Sequence, residues 1–328
     1  MILAGVLLSG ILAGVAAQAP AQERLDRVRA ALFARAEHLD EDIRELKQIL
    51  AADPRSAEAH ALLGIAYRAV GTQDVMGESV AEFRQALDLD PHLLPVRLYL
   101  ARVYIDLGRF ARAREELETA LTEAPGNPEF LALLGESERQ LKNPARAVEI
   151  LRQALQADES SAQARYYLGL ALFDLGQRED AIKELERVVQ SSPGVIDPYL
   201  ALGTVYLDAG RVDAAIQTLG QGVRIDQRRP ELHIQLSRAY RTKGLLDKAE
   251  AQLALAAPKG AAPGMSAYQY QQVELDLALE RGLVKLQRGQ LTAAGDAFKK
   301  VLAMDPNNEQ AARGLAEVNH KKKAGGRQ

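Results

Sequence analysis

The sequence predicts an all-α protein, a solenoid of about seven helix–turn–helix repeats. Small residues recur at a spacing of 34 through most of the 328-residue chain. Around these small residues, apolar residues follow one another at offsets of 3 and 4, the period of an α-helix. A glycine near the middle of most units can end one helix in a left-handed cap and let the chain reverse. One such hairpin cannot bury its own apolar face, so neighbouring hairpins must stack.

Two ladders of small residues define the repeats. The first ladder, in the first helix of each unit, follows a leucine: Gly64, Ala101, Gly135, Gly169, Gly203 and Ser237. The second ladder, in the second helix, keeps an unbroken spacing of 34: Ser79, Ala113, Ala147, Ala181, Ala215 and Ala249. A large apolar residue stands four places after each member of the second ladder. We expect the small residues to let two helix backbones approach and the large residues to fill the space beside them.

This pattern resembles the tetratricopeptide repeat family over residues 57–256, and more weakly to about residue 320. The resemblance implies a right-handed superhelix whose first helices line a concave groove for extended or helical peptides. The tryptophan that is frequent near the start of the family's first helix is absent. The residues in its place are Arg97, Leu131, Arg165 and Tyr199.

The elements follow in order along the chain. Three extra residues around positions 71–77 predict a longer turn in the first full hairpin. The anchors Gly282 and Ala294 come 45 residues after their predecessors, which predicts a loop before a divergent seventh repeat. The predicted parts are a secretory signal (1–21), capping helices or a degenerate repeat (22–53), six repeats (54–257), a loop (258–267), the seventh repeat (268–306), a capping helix (307–320) and a disordered basic tail (321–328).

The first 21 residues are typical of an export signal. Residues 2–17 contain no charged side chain, and small residues follow them. Cleavage after Ala21 fits the small-x-small rule, and cleavage after Ala17 is the alternative. No Lys or Arg precedes the apolar run, so either the terminal amine supplies the positive charge or the start lies upstream. We expect an exported protein, periplasmic or secreted. A retained membrane anchor is the alternative, although 16 residues are fewer than the roughly 20 that a spanning helix needs.

Composition and motifs argue against catalysis and against nucleic-acid binding. The chain has no Cys, which excludes disulfides and thiol chemistry. A net charge of −3 gives no electrostatic support to nucleic-acid binding. Phosphate-binding loops and nucleophile elbows are absent, and the five His residues lie far apart in sequence. We therefore expect no catalytic residues, no metal ligands and no cofactor.

A second stripe on the first helices predicts a binding groove. It comprises the residues three before, one after and four after each small residue, which lie within about 60° of one another on a helix. The stripe is Ala61, Ile65, Arg68, Leu98, Arg102, Ile105, Ala132, Glu136, Arg139, Tyr166, Leu170, Phe173, Leu200, Thr204, Leu207, Ile234, Arg238 and Arg241. We call these residues the inner stripe. Its middle is apolar and aromatic, and arginines stand on either side, a composition typical of binding hot spots.

The predicted site residues are Arg102, Arg139, Tyr166, Leu170, Phe173, Leu207, Arg238 and Arg241. They suggest a protein or peptide partner with an apolar core and acidic flanks. The alternative is that the apolar members only pack adjacent repeats together. A Lys- and Asn-based clamp for a C-terminal carboxylate is not expected, because the stripe contains neither residue type. Membrane contact is expected only if the N-terminal segment is retained, and a fixed structural subunit of an envelope complex is the main competing function.

Overall fold

The structure is a computed structural model that describes residues 21–34, 38–257 and 267–325. Within these residues every regular element is an α-helix, and the predicted all-α repeat fold is confirmed. The predicted signal and the predicted loop before the seventh repeat lie outside the described residues, except for Ala21 and Ala267, which begin helices. The chain divides into two compact units, residues 1–141 and 142–328.

Unit 1 contains seven described helices. They are α1 (Ala21–Ala34), α2 (Leu39–Ala52), α3 (Ala57–Val70), α4 (Gln73–Leu89), α5 (Leu94–Asp106), α6 (Phe110–Glu123) and α7 (Pro128–Gln140). Each helix packs against the next in the chain. The N-terminal hairpin α1–α2 shares a core with α3, where Leu25, Leu46 and Leu63 are all buried. The residues before the first full repeat therefore supply the surface on which that repeat stacks.

Unit 2 contains ten described helices. They are α8 (Pro144–Ala157), α9 (Ala162–Asp174), α10 (Arg178–Ser191), α11 (Asp197–Asp208), α12 (Val212–Ile225), α13 (Pro230–Thr242), α14 (Leu246–Leu255), α15 (Ala267–Gln287), α16 (Leu291–Met304) and α17 (Glu309–Gly325). A continuous core runs from α8 to α13, and separate clusters join α13–α15 and α15–α17. The first ladder lies on α9, α11, α13 and α15, and the second on α8, α10, α12, α14 and α16.

The small residues permit the close helix packing that the sequence predicts. A Cβ atom on Gly64 would lie 2.7 Å from the ring of Phe83, the large residue of the paired helix. The same relation joins Gly169 to Leu185. In the divergent seventh repeat, a Cβ on Gly282 would lie 2.6 Å from the Phe298 ring. Gly282 therefore pairs with Phe298 as the small residues of earlier repeats pair with their large residues, despite the longer spacing before it.

Glycines in the left-handed conformation end the first helices. Six of them have φ values between 69° and 79°: Gly71, Gly108, Gly176, Gly210, Gly244 and Gly289. A residue with a Cβ would be strained at these positions, so the predicted caps are confirmed. Lys142, with φ 67°, stands where one unit lacks the glycine.

The prediction of a longer turn in the first full hairpin is wrong. Helix α3 ends at Val70 and α4 begins at Gln73, so Gly71 and Thr72 alone connect them. The three extra residues lengthen the helix instead, and α4 has 17 residues where α6 has 14. The added start of α4 is mostly exposed, and its apolar members Val75 and Met76 are half-buried. An amphipathic helix can be lengthened in this way without breaking its buried face.

The C-terminal helix is also longer than expected. The sequence predicts a capping helix to residue 320 and a disordered tail, whereas α17 continues to Gly325. Lys321 pairs with Glu317 at 2.7 Å, one helical turn away. Lysines near a helix C-terminus interact favourably with the helix dipole, which supports the extra turn.

At the position where the family often has tryptophan, Arg97 and Arg165 form hydrogen bonds to a loop carbonyl and to a glutamate. In α9, the Arg165 guanidinium donates to the Glu159 carbonyl at 2.8 Å and to Glu184 of α10 at 2.7 Å. In α5, Arg97 donates in the same way to the Pro91 carbonyl at 3.0 Å and to Glu116 at 2.8 Å. In each hairpin, these hydrogen bonds connect the loop before the hairpin to both of its helices.

Candidate binding groove

The first helices of unit 2 lie side by side, so their inner stripes form one face. Helix α9 contacts α11, α11 contacts α13, and α13 contacts α15. Five of the stripe's apolar side chains there are half-buried: Tyr166, Leu170, Phe173, Leu200 and Leu207. All of them except Leu170 pack against the α8–α13 core. Their remaining exposed area is available to another molecule. We call this row the apolar row.

Neighbouring interactions hold the apolar row in place. The Tyr166 ring lies 5.6 Å from the Tyr167 ring, centroid to centroid, at a tilt of 47°. The Thr204 hydroxyl donates to the Leu200 carbonyl at 2.8 Å. Ile234, which follows on α13, is only 2% exposed and offers no contact area. The apolar row therefore spans α9 and α11 and ends before α13.

The two arginines of α13 face a carboxylate of the same unit. The Arg241 Nε atom lies 2.7 Å from Glu280 Oε1, and its Nη2 atom lies 3.3 Å from Oε2. The Arg238 Nε atom is 3.9 Å from Glu280, beyond hydrogen-bond distance. Glu280, on α15, is fully buried. Burial raises the pKa of its carboxyl above the usual range, and the two guanidiniums oppose this shift without cancelling it.

The predicted site residues of unit 1 are also paired within that unit. Arg102 forms an ion pair with Glu129, the second residue of α7. Arg139 holds Glu136 in a bidentate pair, with distances of 2.8 and 2.9 Å. Glu136 and Ala132 are buried, so this part of the inner stripe contributes little accessible surface. Each arginine of the predicted site thus faces a carboxylate of its own unit.

A line of carboxylates along one edge of the inner face was missed by sequence reasoning. These residues stand six places before the small residue on consecutive first helices of unit 2: Asp197, Glu231 and Asp276. Their spacings of 34 and 45 residues equal those of the small residues, which is the signal in the sequence that could have found them. Arg229 bridges the first two, at 2.9 Å from Asp197 and 3.2 Å from Glu231. We call these three residues the edge carboxylates.

Asp276 is the least compensated edge carboxylate. Among the described residues it has no ion pair, and its one hydrogen bond comes from the Gln272 amide at 3.4 Å. Burial raises the pKa of its carboxyl, and the negative charge of Glu231 adds to this. The Gln272 hydrogen bond and the charge of Arg238 oppose the shift without reversing it. Its ionised form therefore costs free energy in the folded protein.

The described residues contain no metal site, no reactive tyrosine and no membrane-spanning helix. No three His, Asp or Glu side chains there come together as metal ligands would. Tyr206 has a pKa raised to about 12, chiefly by burial and by its hydrogen bond to Glu186. This tyrosine therefore stays protonated at neutral pH and acts as a structural donor. None of the described helices is both long and apolar enough to span a bilayer.

Comparisons with known proteins support the repeat assignment. Two tetratricopeptide repeat models match the sequence, one at residues 77–136, 172–233 and 206–269, the other at residues 132–196 and 279–326. Together these segments cover more than half of the chain. No curated protein matches the sequence.

The chain is also similar to solved structures, two of which, with TM-scores above 0.6, share its fold. The crystal structure of MamA is 29% identical, covering 48% of this chain and 92% of that chain, with a TM-score of 0.43. The APC/C hetero-tetramer Cut9-Hcn1 is 16% identical over 86% of this chain and 53% of that chain, with a TM-score of 0.64. The human IFIT1 dimer with m7Gppp-AAAA is 18% identical over 92% of this chain and 72% of that chain, with a TM-score of 0.65.

Proposed function

Because the chain belongs to the tetratricopeptide repeat family, we propose that it is a non-enzymatic scaffold that binds a protein or peptide segment on the inner face of unit 2. Repeat scaffolds of this family serve protein–protein interaction, and a stacked array presents its surface already ordered. A preformed surface reduces the entropy that binding must overcome.

The apolar row is the observation that carries this proposal. Five half-buried side chains on two adjacent helices offer aromatic and aliphatic surface without a charged residue among them. Partly exposed aromatic and aliphatic clusters of this kind mark binding sites more often than scattered apolar residues do. We propose that the bound segment places its own apolar side chains against this row.

The arginines contribute less to partner affinity than the sequence suggests. The sequence predicts acidic flanks on the partner because Arg102, Arg139, Arg238 and Arg241 stand on either side of the row. An acidic flank would have to draw each arginine from a carboxylate of this chain, which offsets most of the gain. We therefore propose the apolar row, not these arginines, as the main source of affinity. The net charge of −3 also gives an RNA ligand such as that in the IFIT1 structure no support.

A peptide selection tests the proposal. Random peptides displayed on phage are selected on the full chain and on two variants, Leu207→Ala and Leu155→Ala. Leu207 belongs to the apolar row, whereas Leu155 lies on α8, and both are half-buried against the same core. The two variants should lower the melting temperature to a similar extent, because each removes the same atoms from one core.

The expected result separates binding from packing. Wild type and Leu155→Ala should enrich the same apolar peptides, and Leu207→Ala should bind them about 5- to 30-fold more weakly. Equal affinity of the two variants would mean that the apolar row only packs repeats together. Enrichment of no peptide at all would reject peptide binding on this face.

We further propose that the protein is exported. The support is the uncharged run of residues 2–17 followed by small residues, which is the composition of a secretory signal. The scaffold would then act in the cell envelope or outside the cell.

A further inference from the structure

Building on the proposed function, we infer that the segment bound by unit 2 carries a basic residue beside its apolar part and that Asp276 receives this residue. The inference names the chemistry of the partner at one end of the apolar row. It reverses the sign of the charge expected from the arginines. Its support is the position of Asp276, its lack of a cationic partner and the cleft beside it.

On each of their helices, the edge carboxylates lie on the side that carries the inner stripe, to which the apolar row belongs. A residue six places before the small residue is about 20° around the helix from the residue one place after it. Asp197, Glu231 and Asp276 therefore border the inner face on α11, α13 and α15. A segment that lies across the apolar row and continues toward α15 passes along this border.

The border has an uncompensated negative charge. Arg229 serves both Asp197 and Glu231, so one guanidinium neutralises one of two carboxylates. Arg238 and Arg241 are directed to Glu280, which needs them because it is fully buried. No cation within ion-pair distance remains for Asp276 among the described residues. A cation from a partner would lower the free energy of this carboxylate, which the chain itself leaves partly desolvated.

A cleft beside Asp276 has the shape for a long basic side chain. It has a volume of about 400 Å³ and lies between α15 and the turn that joins α16 to α17. Its apolar lining includes Leu275, Leu279 and Met304. The methylene stem of an arginine or lysine can lie on this lining while its charged end reaches a carboxylate.

Asp276 is the carboxylate of this cleft that a ligand can use. Asp305 also lines the cleft, but it already accepts hydrogen bonds from the Asn307 amide at 3.1 Å and the Asn308 side chain at 3.2 Å. Leu279 stands three places before Gly282, the same slot that Tyr166 occupies on α9. The cleft thus borders the side of α15 that corresponds to the inner stripe.

Three synthetic peptides test the inference by fluorescence anisotropy on the full chain. They share the apolar core enriched in the peptide selection and carry Arg, Gln or Glu in both flanks. Each is titrated against wild type, Asp276→Asn and Asp296→Asn. Asp296 is an exposed carboxylate on α16 that does not line this cleft, so its substitution is the matched control. Asp276→Asn removes an ionised group whose burial is costly, so its melting temperature should equal or exceed that of wild type.

The Arg peptide should bind wild type at least about fivefold more tightly than the Glu peptide. Asp276→Asn should weaken the Arg peptide about 3- to 10-fold and leave the Gln peptide unchanged, whereas Asp296→Asn should change neither. Tighter binding of the Glu peptide, or equal effects of Asp276→Asn on all three, would overturn the inference while leaving peptide binding intact. Binding of none of the peptides to wild type would reject both the inference and the proposed function.

Discussion

Glu280 shows how a single buried carboxylate decides local energetics. It is less exposed than any other described carboxylate, and its partner Arg241 retains 21% of its side-chain exposure. Desolvation outweighs the two guanidiniums, since the pKa of Glu280 is raised. The Arg241–Glu280 pair therefore contributes little net stability. Loss of Arg241 alone would still be costly, because the buried Glu280 carboxylate would lose its hydrogen-bonded cation.

Substitution of the two partners should give unequal results. Arg241→Met should lower the free energy of unfolding by about 2–4 kcal/mol at neutral pH, because it leaves a buried carboxylate unpaired. Glu280→Gln should change it by less than about 1 kcal/mol, because the amide still accepts a hydrogen bond and Arg241 reaches solvent. Urea denaturation measures both, with Arg238→Met, which loses only a 3.9 Å contact, as the control.

The same pair has a defined pH dependence. A carboxyl whose pKa is raised on folding favours the folded state at low pH and loses that contribution as the pH rises through its folded pKa. The loss caused by Arg241→Met should therefore shrink as the pH falls from neutral toward the usual carboxyl range near about 4. Equal destabilisation by Arg241→Met and Glu280→Gln at all pH values would contradict this account.

At the scale of the element, each hairpin matches the small residue of one helix to the large residue of the other. Where the large residue is Phe83 or Phe298, the small residue opposite is glycine. Where the large residue is leucine, alanine is accepted, as Ala101 shows opposite the buried Leu117. Glycine also stands opposite leucine, since a Cβ on Gly203 would lie 2.4 Å from the Leu219 side chain. A leucine tip can move aside more easily than a planar ring, so we expect a Cβ to cost more opposite phenylalanine.

A substitution and its rescue test this matching. Gly64→Ala should destabilise unit 1 by about 1–3 kcal/mol, because the new methyl would lie 2.7 Å from the Phe83 ring. Adding Phe83→Leu should recover part of the loss, although Phe83→Leu alone should be destabilising through lost volume. Additive losses in this double-mutant cycle, measured by thermal or urea unfolding, would show that the two residues do not limit each other.

At the scale of the whole molecule, the proposed export depends on the N-terminal segment. Export with cleavage after Ala21 predicts a mature protein that begins at Gln22, the second residue of α1. Mass spectrometry of the protein from its native host measures the mature N-terminus. Fractionation of the same cells is the accompanying control. An intact N-terminus in the membrane fraction would instead support an anchored structural subunit.

The sequence by itself determined the repeat fold, because small residues, apolar spacing and glycine caps are local signals repeated many times. The anchors Gly282 and Ala294 identified the seventh hairpin even after a longer spacing. Helix ends were less predictable. The extra residues near Gly71 lengthen α4 and not the turn, because no local signal fixes where a helix begins to within a few residues.

The electrostatics of the candidate groove were decided only by the tertiary structure. In the linear sequence, arginines on either side of an apolar stripe suggest binding to an acidic partner. In the fold, Arg241 meets a carboxylate 39 residues away, and Asp276 has no cation within ion-pair distance among the described residues. Charge pairing depends on which first helices become neighbours and on how much water each group loses, and neither is encoded in the local pattern of a single repeat.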